Sequence, residues 1–391
     1  MAKKRKQHNG VVRKITGAFC MLFCAVLIIP ALTVQAASDL SKYNAQNSIS
    51  PFCEGMASVY TENGWGFIDK TGKEVIKPEY NYVSSPFFSD GLAFVGKDGK
   101  YGFIDKNGDE VIKLQYDSYG DMSFSDGLAV LGKNGKSIYI NKKGKEVIKV
   151  DYDSAGPFKD GLATVSLKGK YGYINKKGKV MIKPKYDSAG VFTDGLAAVS
   201  LNGKYGYINK KGKVIIKPKY GSVADAFTDG LAAVSLNGKY GYINKKGKVT
   251  IKMKYDRAFA FSNGIAVVQK SGKYMLINKN GKTTKLKYSQ VTPHFEDGYA
   301  WVTDKKGKYG LIDKKGAEII KPKYEYEWVS EFSDGLASVC RNNKWGFVNM
   351  EGKEVVKPQY DQASNFSEGL AAVCKGDKWM FIDKKGNVIL E

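Results

Sequence analysis

Residues 194–228 read DGLAAVSLNGKYGYINKKGKVIIKPKYGSVADAFT, and most of the chain repeats this stretch with variations. The copies can be aligned by one glycine in each, and neighbouring glycines of the set lie 34 to 37 residues apart: Gly55, Gly91, Gly127, Gly161, Gly195, Gly230, Gly264, Gly298, Gly335 and Gly369. A fixed period of roughly 20–50 residues is typical of solenoids, propellers and other arrays rather than of a single-core enzyme. The sequence therefore predicts ten tandem copies over residues 51–391.

Within one copy the pattern predicts three short β-strands. Residues 196–201 are apolar and precede an Asn-Gly dipeptide, which favours a type I′ hairpin turn because both of its central residues need a positive φ. Residues 205–209 are aromatic and β-branched, as strands often are, and end at a second turn, 210–213. Residues 214–217 form the third strand, which we expect to end near Pro218 because proline has no N–H for a ladder.

Both faces of this three-stranded meander are apolar or aromatic. Alternation places Ala197 and Val199 on one face of their strand, and it places Tyr205 and Tyr207 together on one face of the next. One copy cannot bury both faces, so consecutive copies must stack. We expect an all-β fold of antiparallel meanders stacked into an open elongated array. A closed β-propeller is the alternative, although ordinary propellers have four-stranded blades and about four to eight of them.

The glycine of the second strand recurs in most copies, as Gly206 does here. Glycine weakens a strand, and it is found where another backbone or a large ring approaches closely. We expect an aromatic ring of the adjacent copy to fill that space.

Two segments precede the repeats. Residues 1–36 carry six basic residues near their start, then the apolar run 15–34 and small residues, which predicts a secretory signal peptide. Cleavage would leave no stable membrane span, whereas retention of the segment as an anchor is the alternative. Residues 37–50 are polar and predict a linker. We therefore expect a secreted or cell-surface protein.

The charge is strongly basic. The formal net charge of the chain is +23, and removal of 1–36, with six basic and no acidic residues, leaves +17. Such a balance favours association with polyanions. Because export separates the protein from nucleic acid, we do not expect nucleic acid as its physiological partner.

Lysines recur at the second turn of successive copies. If the copies stack, these turns form a ridge that attracts anionic polymers; the alternative is a solvated edge that blocks edge-to-edge strand pairing. The recurring Asp-Gly dipeptides are expected to shape turns through hydrogen bonds from aspartate to its own backbone. The candidate ligand-binding residues are eight of these lysines and one tryptophan in the longest connection: Lys142, Lys143, Lys176, Lys177, Lys210, Lys211, Lys245, Lys246 and Trp328.

Enzyme motifs are few. His294 is the only histidine after residue 36, and the chain has neither a phosphate-binding loop nor a dinucleotide fingerprint. Metal-ligand spacing of cysteine and histidine is absent, and residues 105–110 resemble a calcium loop less than a hairpin turn. We therefore predict no catalytic residues, metal or cofactor. An enzyme that uses Glu325 or Glu327 in a groove between copies is an alternative.

The strand-two motifs resemble those of the WG (KWG) repeats. Lys344-Trp345-Gly346-Phe347, Trp65-Gly66-Phe67 and the Lys-Tyr-Gly-Tyr-Ile variants that start at Lys170, Lys204 and Lys239 carry this resemblance, which covers the chain from about residue 51. The resemblance implies a bacterial, often exported, repeat protein with no shared enzymatic activity and no catalytic residues to transfer.

From these observations we predict an exported, non-enzymatic interaction scaffold at the bacterial cell surface. Its partner would be an anionic cell-wall polymer or a surface glycan. The alternative is a protein–protein interaction module that uses exposed aromatic residues and the connection at 325–328.

Overall fold

The computed structural model describes residues 40–43, 48–84, 88–119, 123–223, 227–324 and 328–391. The predicted signal peptide, 1–36, and half of the predicted linker lie outside the described residues. A 3₁₀ turn, Leu40–Lys42, is the one helical element in the described part of the chain. No helix there is both long and apolar enough to cross a membrane.

The described residues of the unit Ser38–Glu391 form ten antiparallel sheets of four strands, here called blades 1 to 10. Blades 1 to 5 are β1 (Ser48–Ile49), β2 (Met56–Thr61), β3 (Gly64–Asp69) and β4 (Glu74–Tyr80); β5 (Tyr82–Val83), β6 (Ala93–Lys97), β7 (Lys100–Ile104) and β8 (Glu110–Tyr116); β9 (Ser118–Tyr119), β10 (Leu128–Lys133), β11 (Lys136–Asn141) and β12 (Glu146–Lys149); β13 (Ser154–Lys159), β14 (Leu162–Leu167), β15 (Lys170–Asn175) and β16 (Val180–Tyr186); β17 (Ser188–Ala189), β18 (Leu196–Leu201), β19 (Lys204–Asn209) and β20 (Val214–Tyr220).

Blades 6 to 10 are β21 (Ser222–Val223), β22 (Leu231–Leu236), β23 (Lys239–Asn244) and β24 (Val249–Tyr255); β25 (Arg257–Ala258), β26 (Ile265–Lys270), β27 (Lys273–Asn278) and β28 (Thr283–Lys285); β29 (Gln290–Val291), β30 (Tyr299–Thr303), β31 (Tyr309–Asp313) and β32 (Glu318–Tyr324); β33 (Trp328–Val329), β34 (Leu336–Arg341), β35 (Lys344–Asn349) and β36 (Glu354–Tyr360); β37 (Gln362–Ala363), β38 (Leu370–Lys375), β39 (Lys378–Asp383) and β40 (Val388–Leu390).

The three predicted strands of a copy are present, and the connection between copies adds a fourth. Asn202 and Gly203 have φ of 52° and 69°, which is the expected type I′ geometry. The connection after blade 5 contains β21, whose Ser222 and Val223 pair with Ser235 and Val234 of blade 6. The three-stranded meander is therefore corrected to a four-stranded blade, whose first strand has only two residues in most blades.

The strand-two glycine faces backbone rather than a neighbour's ring. A Cβ placed on Gly66 would lie 2.5 Å from both the Ile76 carbonyl oxygen and the Pro78 nitrogen, in the next strand of the same blade. That strand bulges at this point, because the pair Trp65–Tyr80 is followed by Phe67–Ile76. Our expectation of an adjacent aromatic ring was wrong. The proline sits inside the bulge, which is why the strand continues to Tyr80 instead of ending near the proline.

Each blade is covered on both faces by its neighbours, as the two apolar faces predict. Tyr207, Ile216 and Tyr220 of blade 5 pack in one buried cluster with Phe227 and Val234 of blade 6. The rings of Tyr207 and Phe227 lie 4.8 Å apart between centroids. The opposite face of blade 5, with Ala197 and Val199, belongs to the cluster shared with blade 4.

Blade 10 packs against blade 1 by the same contacts. The rings of Phe381 and Phe52 lie 4.7 Å apart between centroids, and Ser367 Oγ donates a 2.6 Å hydrogen bond to the Phe52 carbonyl oxygen. The backbone N–H of Leu40 also donates to the Glu391 carbonyl oxygen at 3.4 Å. The all-β repeat prediction is thus confirmed in its alternative form, a β-propeller of ten blades. The copies form a closed ring instead of the open elongated array, because the face of the first copy that an open array would leave exposed is covered by the tenth.

Candidate functional site

One end of every blade carries two turns that recur in sequence. Leu196, which starts the second strand of blade 5, pairs with Asn209, which ends the third strand. The Asp-Gly turn before Leu196 and the Lys-Lys-Gly-Lys turn after Asn209 therefore lie side by side. We call them the acid turn and the lysine turn, and the edge of the ring where they lie the lysine rim.

The acid turns join each blade to the next. Asp194 and Gly195 have φ of 52° and 80°, so the dipeptide does shape a turn. The expected bonds from these carboxylates to their own backbone are not seen among the described residues, where the bonds run to the next blade instead. Asp126 Oδ2 accepts a hydrogen bond from the Gly161 N–H of the following blade at 2.7 Å, and Glu54 Oε2 accepts one from the Gly91 N–H at 2.9 Å.

The first lysine of each predicted pair binds the acid turn of the preceding blade. Lys142 Nζ lies 2.8 Å from Asp90 Oδ2, and Lys245 Nζ lies 3.0 Å from Asp194 Oδ2. The remaining two donate hydrogen bonds to backbone carbonyl oxygens of those turns, Lys176 to Asp126 at 2.6 Å and Lys210 to Asp160 at 2.7 Å. Half of the predicted lysine site thus has a structural role between blades, although each exposed pair contributes only about 0–1 kcal/mol.

The second lysine of each pair faces solvent. Its backbone N–H donates a hydrogen bond to the side chain of the asparagine that ends the third strand, at 3.0 Å in all four turns. Within the described part of the chain its side chain forms no ion pair. These four amines are the part of the predicted site that is open to an anion: Lys143, Lys177, Lys211 and Lys246.

Trp328 is the most exposed large apolar side chain of the described residues, with 68% of its surface accessible. It begins the first strand of blade 9, where it pairs with Cys340. Glu325 and Glu327, the alternative catalytic candidates, lie outside the described residues. The structure thus places Trp328 apart from the lysine rim's four open amines, on a different element.

The sequence analysis did not predict a small cavity that lies between blades 8 and 9. It has a volume of about 140 Å³ and is lined by Glu296, Glu331, Trp301 and Phe332, among others. The rings of Trp301 and Phe332 are stacked, 5.5 Å apart. The sequence did contain a signal, because Glu296 takes the position that serine or threonine holds before most acid turns, as Ser333 does in blade 9.

The two glutamates of this cavity influence each other. Burial, and then the neighbouring Glu331 carboxylate, raise the pKa of Glu296. Glu296 therefore takes up its proton at a higher pH than an isolated glutamate would. No group of three or more His, Cys, Asp or Glu side chains among the described residues is arranged to hold a metal ion.

On the opposite rim, aspartates in the connections between blades bind lysines. Asp187, in the connection between blades 4 and 5, accepts a 2.7 Å hydrogen bond from Lys170 Nζ and a 3.3 Å bond from the Gly203 N–H. Asp256 holds Lys239 in the same way, also at 2.7 Å. The lysine hydrogen bond and then the backbone N–H bond lower the pKa of both aspartates.

Comparison with protein families gives a match over most of the chain. The model of the WG containing repeat matches eight successive segments: 65–101, 101–136, 139–171, 171–205, 205–240, 240–274, 309–345 and 345–379. No curated protein matches the chain.

Solved structures with some likeness share little sequence. A eukaryotic initiation factor has a TM-score of 0.44 at 8% identity, over 74% of this chain and 92% of that one. Hsv2p of Kluyveromyces lactis has a TM-score of 0.34 at 11% identity, over 56% and 87%. The dihydro-heme d1 dehydrogenase NirN has a TM-score of 0.39 at 14% identity, over 89% and 82%. At these scores the likenesses support nothing about function.

Proposed function

The chain belongs to the WG containing repeat family, and on that premise we propose that it is an exported, non-enzymatic binding scaffold of the bacterial cell surface. Its partner is an anionic wall polymer or glycan. Export is proposed on the sequence of residues 1–36, and the absence of catalysis on the lack of enzyme motifs.

The observation that carries the proposal is the set of open amines on the lysine rim. The first lysine of each turn is tied to a neighbouring acid turn, which fixes the backbone from which the second lysine projects. A series of like charges at regular spacing on one rim raises the local potential and attracts anionic polymers. Since lysine binds as a point charge, the contact is diffuse and sensitive to salt.

Retention on purified cell wall across a salt series tests this function. The quadruple Lys→Gln variant should be released at lower salt than the unmodified protein; it changes Lys143, Lys177, Lys211 and Lys246. The variant should also show a weaker dependence of log K on log salt, because fewer counterions are released when it binds. A control with the same charge change replaces exposed lysines elsewhere: Lys273, Lys285, Lys357 and Lys378.

Three results bear on the proposal. Earlier release of the rim variant alone supports it. Equal release of both variants means that net charge, not the rim, holds the polymer. If the unmodified protein is not retained even at low salt, the proposal is overturned.

The exposure of Trp328 favours one other function, a protein-binding module. An exposed tryptophan supplies a large contact area, and such residues are common among the hot spots of interfaces. Binding of this kind should survive high salt and be lost in Trp328→Ala. The four lysine replacements should leave it unchanged.

A further inference from the structure

The positive charge of the protein is concentrated in three blades. Residues 154–255, which form blades 4 to 6, contain twenty lysines, five aspartates and no arginine or glutamate, so their net charge is +15. The net charge after removal of 1–36 is +17, which leaves only +2 for the other seven blades and their flanking segments. One sector of the ring therefore attracts anions, while the rest is close to neutral.

Blade 5, in the middle of this sector, has an open groove on its surface. The groove has a volume of about 570 Å³ and lies between the second and fourth strands. Leu201, Val214 and Pro218 provide its apolar lining, and Lys204 and Lys217 provide its charge. Leu201 and Val214 are both exposed to solvent.

Lys204 lacks the aspartate that its equivalents in the two neighbouring blades have. Lys170 of blade 4 binds Asp187 and Lys239 of blade 6 binds Asp256, in each case seventeen residues further on. The residue seventeen positions after Lys204 is Gly221, which has no carboxylate. Neither Lys204 nor Lys217 forms an ion pair within the described ranges. Among the sector's lysines without an ion pair in the described residues, these two are the ones that line an apolar groove.

We propose that this groove binds a linear polymer of phosphodiester groups joined by uncharged carbon units. The inference rests on the proposed function and names the site and the chemistry of its ligand. Lysine binds phosphate as a point charge, and the sector has no arginine, the residue that favours bidentate contacts with planar anions. The apolar lining packs against the carbon units, and lysines of the sector that form no ion pair, such as Lys211, hold the phosphates on either side.

Binding of a synthetic oligo(glycerol phosphate) to the full chain, measured calorimetrically at several salt concentrations, tests the groove. The double variant Lys204→Gln/Lys217→Gln should bind about fivefold more weakly than the unmodified protein. Gly221→Asp should weaken binding similarly, because it gives Lys204 the acidic partner that its equivalents have. A Cβ at Gly221 would lie 3.4 Å from Ser235 Oγ, so the side chain can be accommodated, and the fold should persist.

The matched control is Lys170→Gln/Lys239→Gln. It removes the same charge from the same sector, but from amines that already have aspartate partners, so binding should weaken by about twofold or less. If the groove variants and this control weaken binding equally, the groove is not the site, although the proposed function stands. If polygalacturonate of equal charge binds as tightly and depends on the same residues, the phosphate assignment is wrong. Retention on cell wall without binding of oligo(glycerol phosphate) also overturns it, and no retention at all overturns the proposed function instead.

Discussion

Lys70 Nζ lies 2.8 Å from Glu368 Oε2, and this ion pair joins the first blade to the tenth. The same carboxylate accepts the Gly55 N–H of blade 1 at 3.1 Å. Both contacts repeat those made at other blade interfaces, such as Lys142 with Asp90. The ring therefore closes through the same kind of contact that acid turns make at other blade interfaces, as Asp126 and Asp334 do.

Replacement of Glu368 by alanine should weaken this closure. The variant loses a partly exposed ion pair and a backbone hydrogen bond, which together stabilise the fold by about 1 kcal/mol. We expect a lower midpoint of urea unfolding and faster hydrogen exchange in blades 1 and 10. Glu351→Ala is the control, since Glu351 is an exposed residue of a turn and forms no ion pair in the described chain. An unchanged midpoint for Glu368→Ala would show that packing alone closes the ring.

Acid should destabilise the protein by protonating Asp187 and Asp256, the lysine-binding aspartates of the opposite rim. Hydrogen bonds from Lys170 and Lys239 lower the pKa of Asp187 and Asp256 below that of the unfolded chain, about 3.9. A lowered pKa contributes stability that is present above the unfolded pKa and is lost as the pH falls through the folded one. The unfolding temperature should therefore fall steadily below about pH 4.

The double variant Asp187→Asn/Asp256→Asn tests the origin of this fall. Its unfolding temperature should be lower than that of the unmodified protein at pH 7, and the difference should shrink as the pH approaches 3. Asp109→Asn, at an exposed site without an ion pair among the described residues, should follow the unmodified curve. Parallel curves for all three proteins would mean that other groups cause the acid sensitivity.

The sequence predicted the features that lie within one copy and the stacking of copies, but not the hydrogen bonds and ion pairs that join them. The Asn202-Gly203 dipeptide is enough to predict its turn. The alternation that places Ala197 and Val199 on one face likewise predicts that both faces of the sheet are buried. The first strand, Ser222–Val223, is too short for an alternating pattern to be visible. Closure depends on the rotation between successive blades, which no single copy contains. The hydrogen bond that Asp126 accepts from Gly161 of the next blade likewise could not be predicted from the sequence.

The candidate site was predicted only in part, because the sequence does not show which lysines contact a carboxylate. The lysine repeats marked the correct turns, yet Lys142 and Lys143 look alike in sequence although only Lys142 reaches a carboxylate. In the groove of blade 5, Lys204 has no aspartate at position 221, which is glycine. The sequence alone does not show that this matters, because the contacts of Lys170 and Lys239 with their aspartates are visible only in the structure.

Gly206→Ala should destabilise the protein strongly. A Cβ at this position would lie 2.6 Å from the Pro218 nitrogen and 2.9 Å from the Lys217 carbonyl carbon, both of which belong to backbone that is fixed by the bulge. Overpacking of this kind costs about 1–3 kcal/mol, and rigid backbone places it near the upper value. Urea unfolding measures the loss.

Gly190→Ala is the matched control for that experiment. Its Cβ would lie 3.6 Å from the Ala198 carbonyl oxygen, an ordinary contact, and the change should be within about 0.5 kcal/mol. Equal losses in the two variants would mean that the flexibility of glycine, and not the close approach of the fourth strand, determines the residue at position 206.

Glu296→Gln should stabilise the protein at neutral pH. Burial and the Glu331 carboxylate raise the pKa of Glu296, so its ionised form is less favourable in the folded than in the unfolded chain. Stability is therefore lost as the pH rises through the unfolded glutamate pKa of about 4.3 towards the folded one. Glutamine removes this loss. We expect the variant's unfolding temperature to exceed that of the unmodified protein by about 1–2 °C at pH 7 and to match it at pH 4. Glu331→Gln should have a similar effect, because it removes the other member of the pair, and a destabilised Glu296→Gln at pH 7 would show that the cavity holds its two carboxylates without repulsion.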